Sequence, residues 1–391
     1  MEQWKQYRLG DILSISSGLA YKGEYLGKGD SFLLGMGCVS YSEQFLEKGM
    51  RQYEGTYDDR YSLETGDIVL ATRQQSDNLP ILGMPAIIPQ KFHGQKMVFG
   101  ANLYKVNLIS SDFSNSFIYW LLKTPNYIRH IKSCQTGTTV RMITKANIED
   151  YTFYCPEKSE RERISSFLWN IENKIELNRR INDNLEQQAQ ALFKSWFVDF
   201  EPFRGGKFVE SQLGMIPKGW KVGTLSDLLD IRYGKDHKKL NDGNIPVYGS
   251  GGIMRLADGI LYNGESVLIP RKGTLNNVLY VNWPFWTVDT MFYSIEKVPN
   301  VAKYCHLLLS KLDLASMNSG SAVPSMTTDI LNKIQIIVAN QDVFSSFNEC
   351  ISSLYLKAKI NLDENKRLSE TRDLLLPKLM SGRLIIKDLH S

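Results

Sequence analysis

The sequence predicts a mixed α+β protein of two similar globular domains, separated by a long antiparallel two-helix coiled coil and related by an internal pseudo-two-fold. Three observations lead there. Ile164, Leu168, Ile171, Ile175, Asn178, Asn182, Leu185, Ala189, Leu192 and Trp196 follow one another at alternating steps of four and three. Phe347, Ile351, Leu354, Ala358, Asn361, Asn365, Leu368, Arg372 and Leu375 do the same, displaced by 183 residues. Seams of this period pack helix against helix, and their repetition implies a duplicated chain. The third observation is that each seam follows a stretch of short strand-like runs broken by glycine and proline.

In chain order, each half opens on a related phrase. Trp4 to Leu13 (WKQYRLGDIL) is echoed by Trp220 to Leu229 (WKVGTLSDLL), at an offset of 216. Gly66-Asp67-Ile68-Val69-Leu70 with Arg73 resembles Gly264-Glu265-Ser266-Val267-Leu268 with Arg271, at an offset of 198. The shrinking offset is what retained framework elements with loops of changing length would give. Short apolar runs predict strands at Ile68 to Ala71, Ala86 to Ile88, Leu103 to Val106, Val267 to Ile269, Val278 to Val281 and Met291 to Ile295. Helix formers predict short helices at Phe117 to Leu122 and Val301 to Leu309.

Glu160 to Phe197 then runs without proline or glycine, a helix of about 57 Å at 1.5 Å per residue. A second helix, from about Val343 to Leu376, is expected to stop at Pro377 and Gly382. The resulting division is a first domain over 1–156, a first long helix over 157–198 and a connector over 199–213, then a second domain over 214–340 and a second helix with its tail over 341–391. The glycines and prolines after Asp199 let the chain turn back, so antiparallel pairing of the helices follows. Asn178 and Asn182 are then expected to meet Asn361 and Asn365 and to fix the register, because a slipped seam would bury them without partners. An ordinary bundle or homodimer contact would use the same periodicity.

Composition narrows the class. At 391 residues the chain has room for two cores. Lys and Arg total 46 against 42 Asp and Glu, a formal charge of +4 that permits a nucleic-acid partner without requiring one. Cys38, Cys134, Cys155, Cys305 and Cys350 are scattered and odd in number, which suggests neither a zinc ribbon nor a disulfide framework and fits a reducing cytoplasm. No signal peptide and no membrane-spanning run is legible.

Catalytic signatures are missing. There is no phosphate-binding Gly-x-x-x-x-Gly-Lys-Ser/Thr segment and no Gly-x-Gly-x-x-Gly after a strand. The Asn/Asp-Pro-Pro-Tyr/Phe run of amino-methyltransferases is absent too, and His93, His130, His237, His306 and His390 are isolated. Asp199 and Glu201 beside Arg204 read as a solvated connector.

Polar segments carry more. Arg73, Gln74 and Gln75 follow a predicted strand, and Lys91 and Lys96 lie in a basic stretch between two others. The second half offers Lys235, Lys238 and Lys239, then Arg271, Lys272, Asn276 and Asn277 after the matching strand. Arginine and lysine match guanine edges, glutamine and asparagine match adenine, and the remaining lysines suit phosphates, so these are candidate DNA contacts. A second repeated loop carries Thr138 and Arg141 in the first half and Ser321 in the second; it suits either phosphate contact or a plain tight turn. Phe193 and Phe197 crowd the end of the first helix and are candidate anchors for a partner protein.

Three further stretches are distinctive: Ala191 to Phe203 (ALFKSWFVDFEPF), Leu213 to Trp220 (LGMIPKGW) and Leu374 to Leu384 (LLLPKLMSGRL). With Gly137-Thr138 ahead of the first helix, the whole chain resembles the specificity subunit of type I restriction-modification systems. The resemblance implies two target-recognition domains, one per half of a split, asymmetric DNA target, on a coiled coil that docks two modification subunits. It also implies a chain without a catalytic centre or bound cofactor. S-adenosylmethionine would serve the modification subunits, and ATP and Mg2+ the restriction subunits. Pro156 to Ile164 matches the family's charged start to the spacer, whereas Asn340 to Phe344 matches it poorly, so the two helix starts need not dock alike. On the residues alone, a coiled-coil scaffold or adaptor that binds no DNA remains an alternative, and an enzyme a third.

Overall fold

The computed structural model describes residues 4–76, 80–317 and 324–386. The chain forms two compact units, Met1–Leu177 with Glu364–Ser391, and Asn178–Asp363. Each combines one globular domain with a segment of both long helices, Lys158–Phe197 and Gln341–Leu379.

In the first unit, Lys5–Arg8 pairs antiparallel with Thr152–Cys155 and closes the domain just ahead of the first long helix. A four-stranded antiparallel sheet follows, in the order Leu13–Ser17, Leu103–Leu108, Ile68–Ala71, Pro85–Ile87. All four residues of Ile68–Ala71 are buried, because the alternation of a strand feeds two cores at once. Ile68 and Leu70 join the core shared with the long helices, while Val69 and Ala71 join a smaller one with Leu34, Met97 and Phe99. Over that smaller core lies a mixed sheet ordered Met50–Tyr53, Leu26–Leu34, Lys96–Phe99, Ser62–Leu63. Ser114 and Thr124 cap two short helices, Asn115–Leu122 and Pro125–Cys134, by accepting from Phe117 N and Tyr127 N. Ile164 and Leu168 from the first long helix, with Leu376, Leu379 and Met380 from the end of the second, complete this core.

The second unit repeats the plan. Lys221–Thr224 pairs with Gln335–Val338, and the main sheet runs Leu229–Tyr233, Met291–Glu296, Ser266–Pro270, Leu279–Val281, the same order of equivalent strands. A three-stranded sheet, Gly252–Ala257, Ile245–Gly249, Trp286–Thr287, lies alongside. The core takes Ala189, Phe193 and Phe197 from the first long helix and Phe344, Phe347 and Ile351 from the second. Each domain therefore sits on one stretch of either long helix.

The long helices pair antiparallel within each unit. In the first, Lys174 Nζ lies 3.4 Å from Glu364 Oε2 and Arg372 Nη1 reaches Glu172 Oε2, so partner numbers fall as residue numbers rise. In the second, Asn361 Nδ2 donates to Asn182 Oδ1 at 2.8 Å and Asn182 Nδ2 donates to Ala358 O at 3.1 Å. Asn365 Nδ2 donates to Ile175 O at 3.2 Å, across the seam of the first unit. Asn178 is buried.

Pro377 does not stop the second helix, which continues to Leu379. A proline costs a helix its missing N–H and the crowding of the preceding turn, and here both fall within the final turn. The true terminator is Gly382, at φ 71°, after which Arg383 N and Leu384 N donate to Lys378 O. The stretch expected to be a solvated connector is also more ordered than its composition suggests. It holds a 3-10 turn at Glu201–Phe203 and the hairpin Phe208–Ser211 with Gly214–Pro217. Phe200 and Phe203 pack edge-on against Trp220.

Candidate nucleic-acid interface

In the first unit the chain leaves the buried strand Ile68–Ala71 through Thr72, whose N–H and hydroxyl both donate to Asn102 O. This fixes the direction of Arg73–Gln74, which pairs antiparallel with Arg141–Met142. Alternation then turns Arg73 outward and Gln74 inward. Arg73 is exposed, and its charge offsets part of the upward push that burial gives the Tyr104 hydroxyl. Thr136 and Met142 exchange both backbone hydrogen bonds, at 3.0 and 2.8 Å. The loop between them turns at Gly137, φ 89°, where a Cβ would stand 2.2 Å from Val140 O. Only glycine fits. Thr138 is exposed on this loop and Arg141 is half-buried at its foot. Two segments some sixty residues apart in sequence thus form one small assembly carrying Arg73, Gln75, Thr138 and Arg141.

The second unit brings its equivalents together in the same way. Arg271 N donates to Thr290 O and Arg271 O accepts from Met326 N, both at 2.8 Å, while Lys272 bridges Ser325 and Gly273 N donates to Pro324 O. The Arg271 side chain is held: Nη1 donates to Asp289 O at 3.1 Å, and the guanidinium lies 5.3 Å from the Tyr233 ring centroid. Lys272 is exposed. Lys235, Lys238 and Lys239 are exposed on a nearby segment whose Leu240 and Asn241 carbonyls accept from Arg255 Nη2. Sequence reasoning missed Tyr233 and Arg255; an aromatic directly ahead of the basic Lys235–Lys239 stretch was the available signal for the first. Ser321 lies outside the described residues.

Several candidates are corrected by their contacts. Gln74 is buried, and its Oε1 accepts from Leu82 N at 3.3 Å, so its amide braces the fold. Asn276 spends both ends of its amide, donating to Asp313 Oδ1 and accepting from Ala315 N. Asn277 donates to Ser250 O at 2.8 Å. Asn276 therefore lacks the free amide that adenine readout needs. Lys96 opens a strand of the mixed sheet and Lys91 lies in the 3-10 turn Gln90–Phe92 ahead of it, ion-paired with Glu47, so neither belongs to the strand pair that carries Arg73.

Phe193 and Phe197 are also corrected. Both are 3% exposed, and their rings pack on Tyr304 and Phe347 of the same chain, so no face is left for a partner. At the charged helix start, one residue serves the fold. Arg161 is buried, donates to Pro156 O at 2.6 Å and Asp112 O at 3.0 Å, and lies 4.2 Å over the Phe113 ring. At the equivalent position of the second helix, offset by 183, stands the buried Phe344.

No group of three or more His, Cys, Asp or Glu side chains among the described residues is placed to hold a metal ion. Burial pushes the Cys38 thiol up to about 12 and the Cys155 thiol up to about 11, away from the thiolate a nucleophile needs. Cys134 approaches His130 Nε2 at 3.8 Å, but that nitrogen is 2.7 Å from Asn147 O, a contact that requires it to carry the proton and so bars it as a base. No helix among the described residues is long and apolar enough to cross a membrane.

Comparison with known proteins finds the same architecture. The family described as "Type I restriction modification DNA specificity domain" matches residues 1–187 and 217–342. The type I restriction enzyme MjaIX specificity subunit of Methanocaldococcus jannaschii is 25% identical, over 99% of this chain and 95% of its own length. The HindI specificity subunit of Haemophilus influenzae is 24% identical, over 98% of this chain and 100% of its own. The crystal structure of a type I restriction-modification S subunit from M. genitalium superposes with a TM-score of 0.55 at 16% identity, over 97% of this chain and 96% of that one.

Proposed function

This chain belongs to the type I restriction-modification DNA specificity family, and from that premise we propose that it reads a split, asymmetric target in double-stranded DNA, one half with each globular domain. The observation that carries this reading is the duplicated assembly. In each unit the segment emerging from the buried sheet, the short strand Arg73–Gln74 or the bridge residues Arg271–Lys272, is bonded to a second repeated loop, Arg141–Met142 or Pro324–Met326. A basic side chain at the rim of a rigid sheet is aimed, and an aimed arginine discriminates guanine where a loose one only attracts phosphate. The loops differ between the copies, so the two halves of the target differ.

The chain supplies the address and its partners the chemistry. Two modification subunits would use S-adenosylmethionine, and restriction subunits would use ATP and Mg2+. Lys235, Lys238, Lys239 and Lys272, exposed and free of base-reading geometry, suit phosphates.

A binding selection on randomised duplexes, run with the chain assembled with its modification subunits, tests the reading. Two short motifs separated by unspecified bases are expected. Arg73→Ala should relax one motif and leave the other, at a cost of about 1–3 kcal/mol at one base pair. One continuous motif would overturn the bipartite reading, and no affinity for any duplex would leave the coiled-coil scaffold as the better account.

A further inference from the structure

The hairpin Ile245–Gly249/Gly252–Ala257 contains an irregularity with a chemical consequence. Val247 faces Arg255 and Tyr248 faces Ile253, so Met254 is the extra residue of a β-bulge. Bulges bend the strand and re-aim a side chain, often beside a functional surface. Here the re-aimed side chain is Met254, which lies across Gly249: a Cβ at Gly249 would stand 2.5 Å from Met254 Sδ. Ile253 and Met254 are 60% and 58% exposed. Two adjacent apolar residues raised into solvent add nothing to the core of this domain.

Their surroundings are those of the candidate interface. The same point above Gly249 is 3.6 Å from Thr290 Oγ1, and Thr290 O accepts the backbone N–H of Arg271. In the hairpin turn, Ser250 O accepts from Asn277, and Ser250 Oγ is 3.0 Å from where a Cβ of Gly273 would be. On the strand itself, Arg255 tethers the carbonyls of Leu240 and Asn241, which end the Lys235–Lys239 segment. The hairpin that carries the apolar pair is therefore bonded to both basic segments of its domain through Ser250 and Arg255, a setting that favours a polyanionic partner over an apolar one.

We propose that Met254, supported by Ile253, reads thymine in the half of the target bound by the second domain, through contact with the C5-methyl group. This rests on the DNA-binding reading above. The thymine methyl is the one apolar feature of the major groove, and a flexible thioether fits it without demanding a fixed angle. The inference also answers a shortage, because both ends of the Asn276 amide are occupied within the fold.

The test uses the chain assembled with its modification subunits and the duplex its own selection defines. Replacing thymine by deoxyuridine removes the methyl alone. The wild-type complex should bind about fourfold more weakly when one particular thymine of the second half-site is replaced, the value of a single buried methyl. Met254→Ala should bind the thymine and deoxyuridine duplexes equally while keeping its preference in the first half-site, and Met254→Leu should restore discrimination. Indifference of the wild-type complex to deoxyuridine throughout the second half-site overturns the proposal, as does a second half-site without thymine or unchanged discrimination in Met254→Ala. The bipartite reading survives all three of those results. It falls, and the proposal with it, if the wild-type complex selects one continuous motif or binds no duplex.

Discussion

Arg372 donates from Nη1 to Glu172 Oε2 at 2.5 Å with both side chains buried in the seam of the first unit. The 183-residue offset puts Ala189 and Tyr355 at the equivalent positions of the second unit, where the Tyr355 hydroxyl meets His306 Nδ1 at 2.7 Å. One copy of the duplicate fills its seam with a charge pair, the other with an alanine and a tyrosine whose hydroxyl reaches a neutral imidazole on the domain helix Ala302–Lys311. The two seams should therefore respond differently to mutation and to pH.

Breaking the charge pair from one side is expected to be costly. Arg372→Ala would leave Glu172 buried without its cation, a loss of about 3–5 kcal/mol, whereas Glu172→Met with Arg372→Leu should be neutral or stabilising by about 1–4 kcal/mol. Urea unfolding of the full chain distinguishes these outcomes. A double variant less stable than the single one would show that the pair holds the seam together by more than mutual compensation.

The second seam should sense acid. Burial pushes His306 down to about 4, below the usual 6.5 it regains on unfolding, so the unfolded chain binds the proton first as pH falls. Stability is whole above pH 6.5 and declines toward pH 4 by about 1.4 kcal/mol per unit, or about 2 kcal/mol at pH 5. Urea unfolding at pH 7 and pH 5 should show this loss in the wild type and a flatter response in His306→Phe. Equal slopes would mean the imidazole is accessible to protons in the folded state.

Phe197→Ala should reduce stability by about 3–5 kcal/mol through the cavity left among Tyr304, Phe344 and Phe347. Thermal unfolding and a pull-down of the modification subunit from one preparation will separate folding from docking. A normal melting temperature with lost docking would return this ring to the surface.

Gln74 and Gln75 are neighbours with opposite assignments. Gln74→Ala should cost about 1–3 kcal/mol by leaving Leu82 N–H unpaired, without changing base preference. Gln75→Ala, at an exposed position, should leave stability unchanged and act only on DNA binding. Denaturant unfolding and the duplex selection, run on both variants, would sink the distinction if the effects were exchanged.

Asn182→Leu with Asn361→Leu removes the side-chain hydrogen bond between the helices of the second unit. Spin labels at the exposed Asp183 and Leu362 should give one narrow distance in the wild type and a broadened distribution in the variant, as the seam samples slipped registers. An unchanged narrow distance would deny the asparagines a role in register.

What the sequence made legible was whatever depends on near neighbours. Ile68–Ala71 forms the predicted strand residue for residue, and the two helices lie within a few residues of their expected limits, because periodicity and turn residues are local signals. Side-chain duty was legible only where no distant segment intervened. Gln74 was taken inward by Leu82, Asn276 by a turn at Asp313, and Phe197 by rings from the second half of the chain. No spacing rule reports such partners. Arg73 lies opposite Met142, and Arg141 opposite Gln74, through a pairing of distant segments that no local pattern announces.

The dependence of the first domain on Leu376, Leu379, Met380 and Ile386 sets an order of events during synthesis. When Pro156 has left the ribosome, the domain still lacks one wall of its core. At ~5–20 residues per second, the ~220 residues separating Pro156 from Leu376 delay that wall by about 10–40 s. The second domain, by contrast, finds its share of both long helices within a shorter span of chain, since Ala189 precedes it and Ile351 follows it closely. The first domain to be translated is thus the last to be completed, and its unfinished face is the part of the nascent chain most in need of a chaperone.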